Sequence, residues 1–330
     1  MKSLVIDQNL SVAPVLLAPM SGVTDLPFRR VVKRLGAGLV FSEMIASQAV
    51  VRQVKGSRKM AEHYGEHRPI AVQLAGCEPE VMAEAARLNV ERGATIIDIN
   101  FGCPVKKIVN KMGGSAIMRD EALAGRIMEA VVRAVEVPVT MKMRLGWDEQ
   151  TLNAPRLARL AEDCGVRMLT VHGRTRCQLY TGTADWRAVW PVKQATALPV
   201  VVNGDIESLA DVDRALAESG ADGVMIGRGA CGRPWFLHQT MAYLAGKPVP
   251  ADPSLSDQCA IVLDHYDGLL SHYGVEQGNR IARKHLAWYS RSLPNSADFR
   301  ARINREGDPA AVRAAIAALY QRAQEDRLAA

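Results

Sequence analysis

Short apolar runs rich in β-branched residues alternate with helical patterns through the first three-quarters of the 330-residue chain. The runs are Val15-Leu16-Leu17-Ala18, Leu39-Val40-Phe41, Ile70-Ala71-Val72-Gln73-Leu74, Ile96-Ile97-Asp98-Ile99, Val139-Thr140-Met141-Lys142, Met168-Leu169-Thr170-Val171, Val200-Val201-Val202 and Gly223-Val224-Met225-Ile226, eight in all. Runs of this kind, alternating with helices, predict a parallel sheet covered on its faces. Between them, Leu123, Ile127, Val131 and Ala134 share one helical face after Asp120, as do Leu157, Leu160, Ala161 and Cys164 after Asn153. Ser208 with Asp211 resembles a capping box, and Pro79 sits where a first helical turn accepts proline.

The punctuation repeats with a longer period. Odd-numbered strands are entered through Pro14, Pro69, Pro138 and Pro199, and even-numbered ones through the helix-ending glycines Gly36, Gly93, Gly165 and Gly220. A unit of two strands and two helices thus recurs four times, which fits a closed α/β (β/α)₈ TIM barrel better than an open doubly wound sheet. The proline-rich stretch 246–253 reads as a boundary, and beyond it the β-branched runs vanish. Helices are predicted around 257–273, 279–293, near Phe299 and from Asp308-Pro309 onward. The expected organisation is a barrel over residues 1–246 and a small all-helical domain over 254–330.

Composition narrows the setting. The start breaks its apolar run at Asp7, which predicts no signal peptide, and no stretch reaches bilayer-spanning length. Six scattered cysteines without a CxxC pair or a Cys/His cluster argue against a metal site or a disulfide framework and for a reducing cytoplasm. A net charge of +6 indicates nothing about nucleic acid until its location is known.

Candidate chemistry lies at the carboxyl ends of the strands, where such barrels carry it. In order these ends hold Ala18-Pro19-Met20, Ser42-Glu43-Met44, Gln73, Asn100, Lys142 with Arg144, His172-Gly173-Arg174, Asn203-Gly204-Asp205 and Gly227-Arg228-Gly229. Any one could be a satisfied structural group, but all eight converge on one rim. The glycine turns after strands seven and eight match the usual phosphate site of the fold, with Arg228 supplying charge. Residues 227–232 also spell GxGxxG, but they follow the last strand and lead into the proline link, so a Rossmann reading fails. Lys142 inside an apolar strand needs an anionic partner, either Asp98 or Glu43 or a ring that accumulates charge. Cys103, flanked by Gly102 and Pro104 in a loop, is not placed for packing as Cys164 and Cys259 are. With Lys106, Lys107, Lys111 and the Gly113-Gly114 pair it suggests a mobile cationic lid.

These residues resemble a known family. Ala18-Pro19-Met20-Ser21-Gly22-Val23-Thr24-Asp25, Ser42-Glu43-Met44, Asn100-Phe101-Gly102-Cys103-Pro104, Val171-His172-Gly173-Arg174-Thr175 and Asn203-Gly204-Asp205-Ile206 are similar to the tRNA-dihydrouridine synthases. The run 103–107 and the helical tail look most like the bacterial B-type branch, including its nitrogen-regulation protein 3 relatives. The resemblance implies a flavoenzyme that reduces C5=C6 of a D-loop uridine in tRNA with FMN as cofactor and NADPH as electron donor. It also implies FMN contacts at Ala18, Pro19, Met20, Gln73, Lys142 and His172, with phosphate contacts at Asn203, Gly204, Asp205, Gly227 and Arg228. Cys103 would be the general acid that protonates C5 after hydride reaches C6 from flavin N5. Asn100, Arg144 and Arg174 would line the uridine pocket.

The tail locates the charge. Residues 280–305 hold seven cations against one acid, a net +6 that equals the excess of the whole chain. Arg280, Arg283 and Lys284 begin this segment and, with Lys106 and Lys107, are the expected tRNA contacts. Trp288, among them, reads better as helix core than as a stacking platform. Cutting the chain after Gly246 should then cost tRNA affinity far more than flavin binding. Rival readings are an FMN barrel acting on a free pyrimidine, as in dihydroorotate dehydrogenases, and a non-enzymatic RNA-binding regulator. The expected assembly is a monomer without metal or membrane partner.

Overall fold

The computed structural model describes residues 2–52, 68–110 and 112–329. Two short strands, β1 (Leu4–Asp7) and β2 (Leu10–Val12), form an antiparallel hairpin ahead of the first predicted strand. Then come β3 (Val15–Leu17), β4 (Leu39–Val40), β5 (Ile45–Ala46), β6 (Ala71–Ala75), β7 (Ile96–Phe101), β8 (Val139–Arg144), β9 (Met168–His172), β10 (Val200–Asn203) and β11 (Gly223–Ile226). These nine form one parallel sheet in the order β4-β3-β11-β10-β9-β8-β7-β6-β5. The two ends of that order lie close together in the chain: β4 falls within the second predicted run, Leu39–Phe41, and β5 lies beyond it. A parallel bridge from Phe41, just past β4, to Ala71 of β6, beside the Ser42 N–H to Ala71 carbonyl bond of 2.9 Å, closes the TIM barrel.

The punctuation has a physical basis. Gly36, Gly93, Gly165 and Gly220 all have positive φ, from 63° to 103°. At Gly220 a side chain would also strike Trp190, since a Cβ would lie 2.5 Å from its ring. Pro14, Pro138 and Pro199 precede strands and their carbonyls accept the opening cross-strand bonds from Val224, Ile97 and Leu169, positions where a missing N–H is tolerated. The capping box Ser208/Asp211 and Pro79 in the first turn of helix Pro79–Glu91 are both present.

Although both faces of the barrel strands other than β5 are buried, with Lys142 half-buried, a period of two separates them. Outward residues such as Val72, Ile97, Met141 and Val202 pack against the surrounding helices. Inward ones change character along the barrel axis. At the amino end Leu16, Phe41, Ile96, Met168, Val201 and Met225 form an apolar plug with Leu4, Ile6 and Val12 of the hairpin. One step up stand Gln73, Asp98 and Thr140 in register, then Asn100, Lys142 and Thr170, then Arg144, His172 and Asn203.

Four tail helices, Leu255–Tyr273, Val275–Tyr289, Ser296–Ile303 and Pro309–Ala329, share a second apolar cluster that includes Val262, Tyr266, Leu286 and Ile316. The first of them packs against helix Leu26–Arg34. Val31, Trp235 and Ile261 bridge the two regions, and Arg34 pairs with Asp264 at 2.7 Å. The linking stretch is strapped down, because Asp252 Oδ1 accepts from Trp235 Nε1 at 2.9 Å and Gln239 Nε2 at 2.8 Å. Among the described residues no helix is long and apolar enough to cross a membrane.

Candidate functional site

The carboxyl end of the barrel opens into a cavity of about 450 Å³, within the range of cofactor and small-ligand sites. Ala18, Pro19, Met20, Gln73, Lys142, His172, Asn203, Gly204, Asp205, Gly227 and Arg228 all line it, as do Asn100, Arg144 and Cys103. Strand register explains this convergence: alternate inward positions of β6 to β11 rise to one rim.

Lys142 projects from β8 into this cavity, and among the described residues its ammonium has no hydrogen-bond or ion-pair partner. Burial, then repulsion from Arg144, lowers its pKa to about 8, while Asp98 and Cys103 pull the other way. It remains mostly a cation at neutral pH, poised for an anionic or acceptor-bearing ligand. Asp98 sits deeper, 1% exposed, and burial raises its pKa to about 6. Neither Asp98 nor Glu43 forms a salt bridge with Lys142; Asp98 instead accepts from Thr140 Oγ1 and Gln73 Nε2, each at 2.6 Å. His172 is held neutral, chiefly by burial and then by the cations Lys142, Arg144, Arg174 and Arg228.

Cys103 follows β7. Its N–H donates to Asn100 Oδ1 at 2.8 Å, and its carbonyl accepts from Ser115 N–H at 3.1 Å and Ser115 Oγ at 2.9 Å. Burial pushes the thiol pKa up further than nearby Arg144 and Lys142 lower it, so the group is a thiol at neutral pH. The Gly113-Gly114 pair is a docking point here. Gly114 has φ +60°, and a Cβ on it would lie 2.7 Å from the Cys103 carbonyl oxygen. The side chain of Lys107 and the whole of Lys111 lie outside the described residues, and Lys106 is exposed beside the cavity rather than in its lining.

The two rim arginines differ. Arg144 is 2% exposed and lines the cavity while donating to the carbonyls of Gly102 (2.9 Å), Thr175 (2.7 Å) and Leu179 (2.9 Å). Arg174 is 1% exposed and does not line it. Its guanidinium donates to both carboxylate oxygens of Asp205, at 3.1 and 2.5 Å, and to the carbonyls of Thr181 and Gly182. Asp205 also pairs with Arg228 at 2.7 Å. At the turn after β11, Gly227 lines the cavity, and a Cβ there would sit in ordinary contact with Met20 Sδ and Ala18 Cβ, at 3.5 and 3.6 Å.

Several cavity residues escaped the sequence reading: Tyr180, Glu207, Cys231 and above all Trp288. Trp288 comes from tail helix Val275–Tyr289 and is a wall of the cavity rather than tail core. Lys284, one turn earlier on the same face, donates to the Gly22 carbonyl, and Arg280 continues that stripe, exposed. Arg283 is half-buried, and its Nε has no hydrogen-bond partner among the described residues. None of these three tail cations lines the cavity itself. Among the described residues no cluster of three or more His, Cys, Asp or Glu is placed to hold a metal.

The family model described as Dihydrouridine synthase (Dus) matches residues 16–325. The chain belongs to the dihydrouridine synthase family. It is 56% identical over 308 residues to a probable tRNA-dihydrouridine synthase of Rickettsia bellii, covering 93% of this chain and 94% of the relative. It is 52% identical to the tRNA-dihydrouridine synthase B of Xanthomonas campestris, covering 91% of each. The tRNA-dihydrouridine synthase B of Pseudomonas aeruginosa is 48% identical, with 94% of each chain covered. Within this family the barrel mouth and the tail wall of the cavity are matched as one unit, because the matched span runs through both.

Proposed function

We propose that this protein is a tRNA-dihydrouridine synthase that reduces C5=C6 of a D-loop uridine, with FMN as bound cofactor and NADPH as electron donor. The observation that carries the reading is the cavity itself. It combines a Lys142 ammonium without a partner among the described residues, a glycine turn with Arg228 on the cavity wall and a protonated Cys103 thiol, in a chain of the dihydrouridine synthase family. These residues fit FMN: Lys142 and Gln73 would face the ring, with Ala18, Pro19, Met20 and His172 around it. Asn203, Gly204, Asp205, Gly227 and Arg228 would hold the phosphate end. When bound, the flavin supplies the hydride that reaches C6 of the uracil.

The protein's own contribution is then threefold. Lys142 offsets negative charge in a site that excludes much of the water. Cys103, kept protonated by burial, gives its proton to C5. Arg144 and Asn100 border the uracil. Arg174 acts one layer back by holding Asp205 and, through Thr181 and Gly182, the loop beside Tyr180. Residues 1–246 serve as the catalytic domain and 254–330 as the tRNA-binding domain, with Lys106, Lys107, Arg280, Arg283 and Lys284 meeting the RNA backbone and the protein working as a cytoplasmic monomer. A uridine in folded tRNA must leave its stack to enter.

The test is direct. Purified protein should be yellow with a bound flavin identified as FMN by mass spectrometry, and should form dihydrouridine on unmodified tRNA when given NADPH. Protein that cannot be loaded with FMN, or loaded protein that leaves the tRNA unchanged, would end this reading.

A further inference from the structure

The floor of the cavity contains a chain of hydrogen bonds that begins at a residue outside the lining. Asp98 Oδ1 accepts from Thr140 Oγ1 and Oδ2 from Gln73 Nε2, each at 2.6 Å. Gln73 Oε1 accepts from Asn100 Nδ2 at 2.7 Å, and Asn100 Oδ1 accepts from the N–H groups of Gly102 at 3.1 Å and Cys103 at 2.8 Å. Its four side chains are buried, with Thr140 fully so, Asp98 and Gln73 each 1% exposed and Asn100 7%.

The chain has a direction. A carboxamide is nearly the same shape after its oxygen and nitrogen exchange places, so packing alone does not orient it. An ionised carboxylate only accepts, so Gln73 must turn its NH₂ toward Asp98 and its oxygen toward Asn100. Asn100 must in turn offer its NH₂ to Gln73 and its oxygen to the Cys103 turn. One N–H then remains on each amide, and both residues line the cavity that Lys142 also enters. The floor is therefore rich in donors, a match for a ring edge that carries carbonyl oxygens.

We propose that Asp98 is a positioning residue that sets the polarity of the cavity floor, orienting Asn100 as a donor toward the uracil and Gln73 as a donor toward a dioxopyrimidine ring beside it, and pinning the Cys103 backbone through the same chain. The assignment rests on the FMN reading for the identity of that ring, but the pinning of Cys103 does not. Thr140, by contrast, has a hydroxyl that can donate or accept and so sets no direction.

Four variants separate orientation from general loosening, with FMN affinity read on apoprotein by flavin fluorescence and Cys103 alkylation by iodoacetamide read by peptide mass spectrometry. Asp98→Leu removes the acceptor, so FMN binding should weaken at least about tenfold and Cys103 alkylation should quicken about fivefold. Asp98→Asn restores an acceptor for Gln73 while Thr140 turns to accept, and should recover both to within about threefold of wild type. Thr140→Val should leave FMN affinity within about twofold. In the double variant Asp98→Asn/Gln73→Glu the acceptor moves one link along. Asn100 keeps its orientation, so alkylation stays at the wild-type rate, but residue 73 loses its N–H and FMN affinity should fall at least about tenfold. Unchanged FMN affinity in Asp98→Leu, or an equal loss in Thr140→Val, overturns the proposal. If Asp98→Leu does not fold, wild-type FMN affinity in the double variant overturns it instead. Wild-type protein that takes up no FMN removes the functional reading, while the Leu-against-Asn contrast in alkylation still decides whether Asp98 pins Cys103.

Discussion

The two ends of the barrel interior are built from the same strands and differ in almost everything else. At the amino end the inward positions are Leu, Ile, Phe, Met and Val, sealed by the β1–β2 hairpin. At the carboxyl end, one or two residues further along, they are Gln, Asp, Thr, Asn, Lys, Arg and His, roofed on one side by Trp288 of the tail. The first end has every side chain satisfied by contact alone. The second holds charges in a space that depresses Lys142 and raises Asp98. Stability is concentrated below and reactivity above, and the predictions test that division.

The largest effect belongs to the upper end. Cys103→Ala should lower the rate of uridine reduction by about 10² to 10⁴ while FMN content and reduction by NADPH persist; full turnover on tRNA would break the division at once. At the lower end Phe41, fully buried, should behave oppositely. Phe41→Ala should cost about 3–5 kcal/mol in urea unfolding, while the protein that stays folded keeps its FMN affinity.

The roof has its own weakness. His265 and His285 are each 1% exposed where the tail meets Phe28, with ring centroids 4.6 Å apart. His265 Nδ1 faces the Tyr289 hydroxyl at 3.1 Å, but among the described residues His265 Nε2 and both nitrogens of His285 have no partner. Burial, then Arg34, lowers His265 to about 3, and burial, His265 and Lys284 lower His285. The unfolded chain binds these protons near pH 6.5 while the folded one refuses them, so stability is intact above that pH and is lost as pH falls toward the folded values. Between pH 6.5 and 5 His265 should remove about 1.5 kcal/mol and His285 should act in the same direction, seen as a lower urea midpoint, and His265→Phe should flatten part of that slope. The smallest effect expected is that of Trp288→Ala, which should weaken FMN binding about fivefold through loss of one cavity wall. For the same reason a chain cut after Gly246 should lose flavin along with tRNA affinity, contrary to what the charge pattern alone suggested. Trp288→Ala with unchanged flavin affinity would restore that simpler picture.

Much of this was readable in the residues. Eight strands announce themselves because β-branched runs and positive-φ glycines are local signals, and the polar strand ends were visible as interruptions of apolar runs. The alternation inside each run was hidden, since both faces are buried and Ile97 and Ile96 look alike although one faces helices and the other the plug. The β1–β2 hairpin is too short to show a period. Arg174 looked like a pocket residue because nothing local reveals that Asp205, 31 positions on, takes up its guanidinium. Trp288 stands at an ordinary amphipathic position, and only the docking of its helix onto the barrel makes it a wall. Asp98 sat in a strand as one acid among apolar neighbours, and its meaning depends on which amides face it.

The hairpin has a practical consequence. Because β1 and β2 close the amino end of the barrel, a chain extension attached ahead of Leu4 emerges on the side opposite the cavity. Protein immobilised through such an extension would present its open mouth and tail to the bulk solution, an orientation suited to measuring RNA capture on a sensor surface.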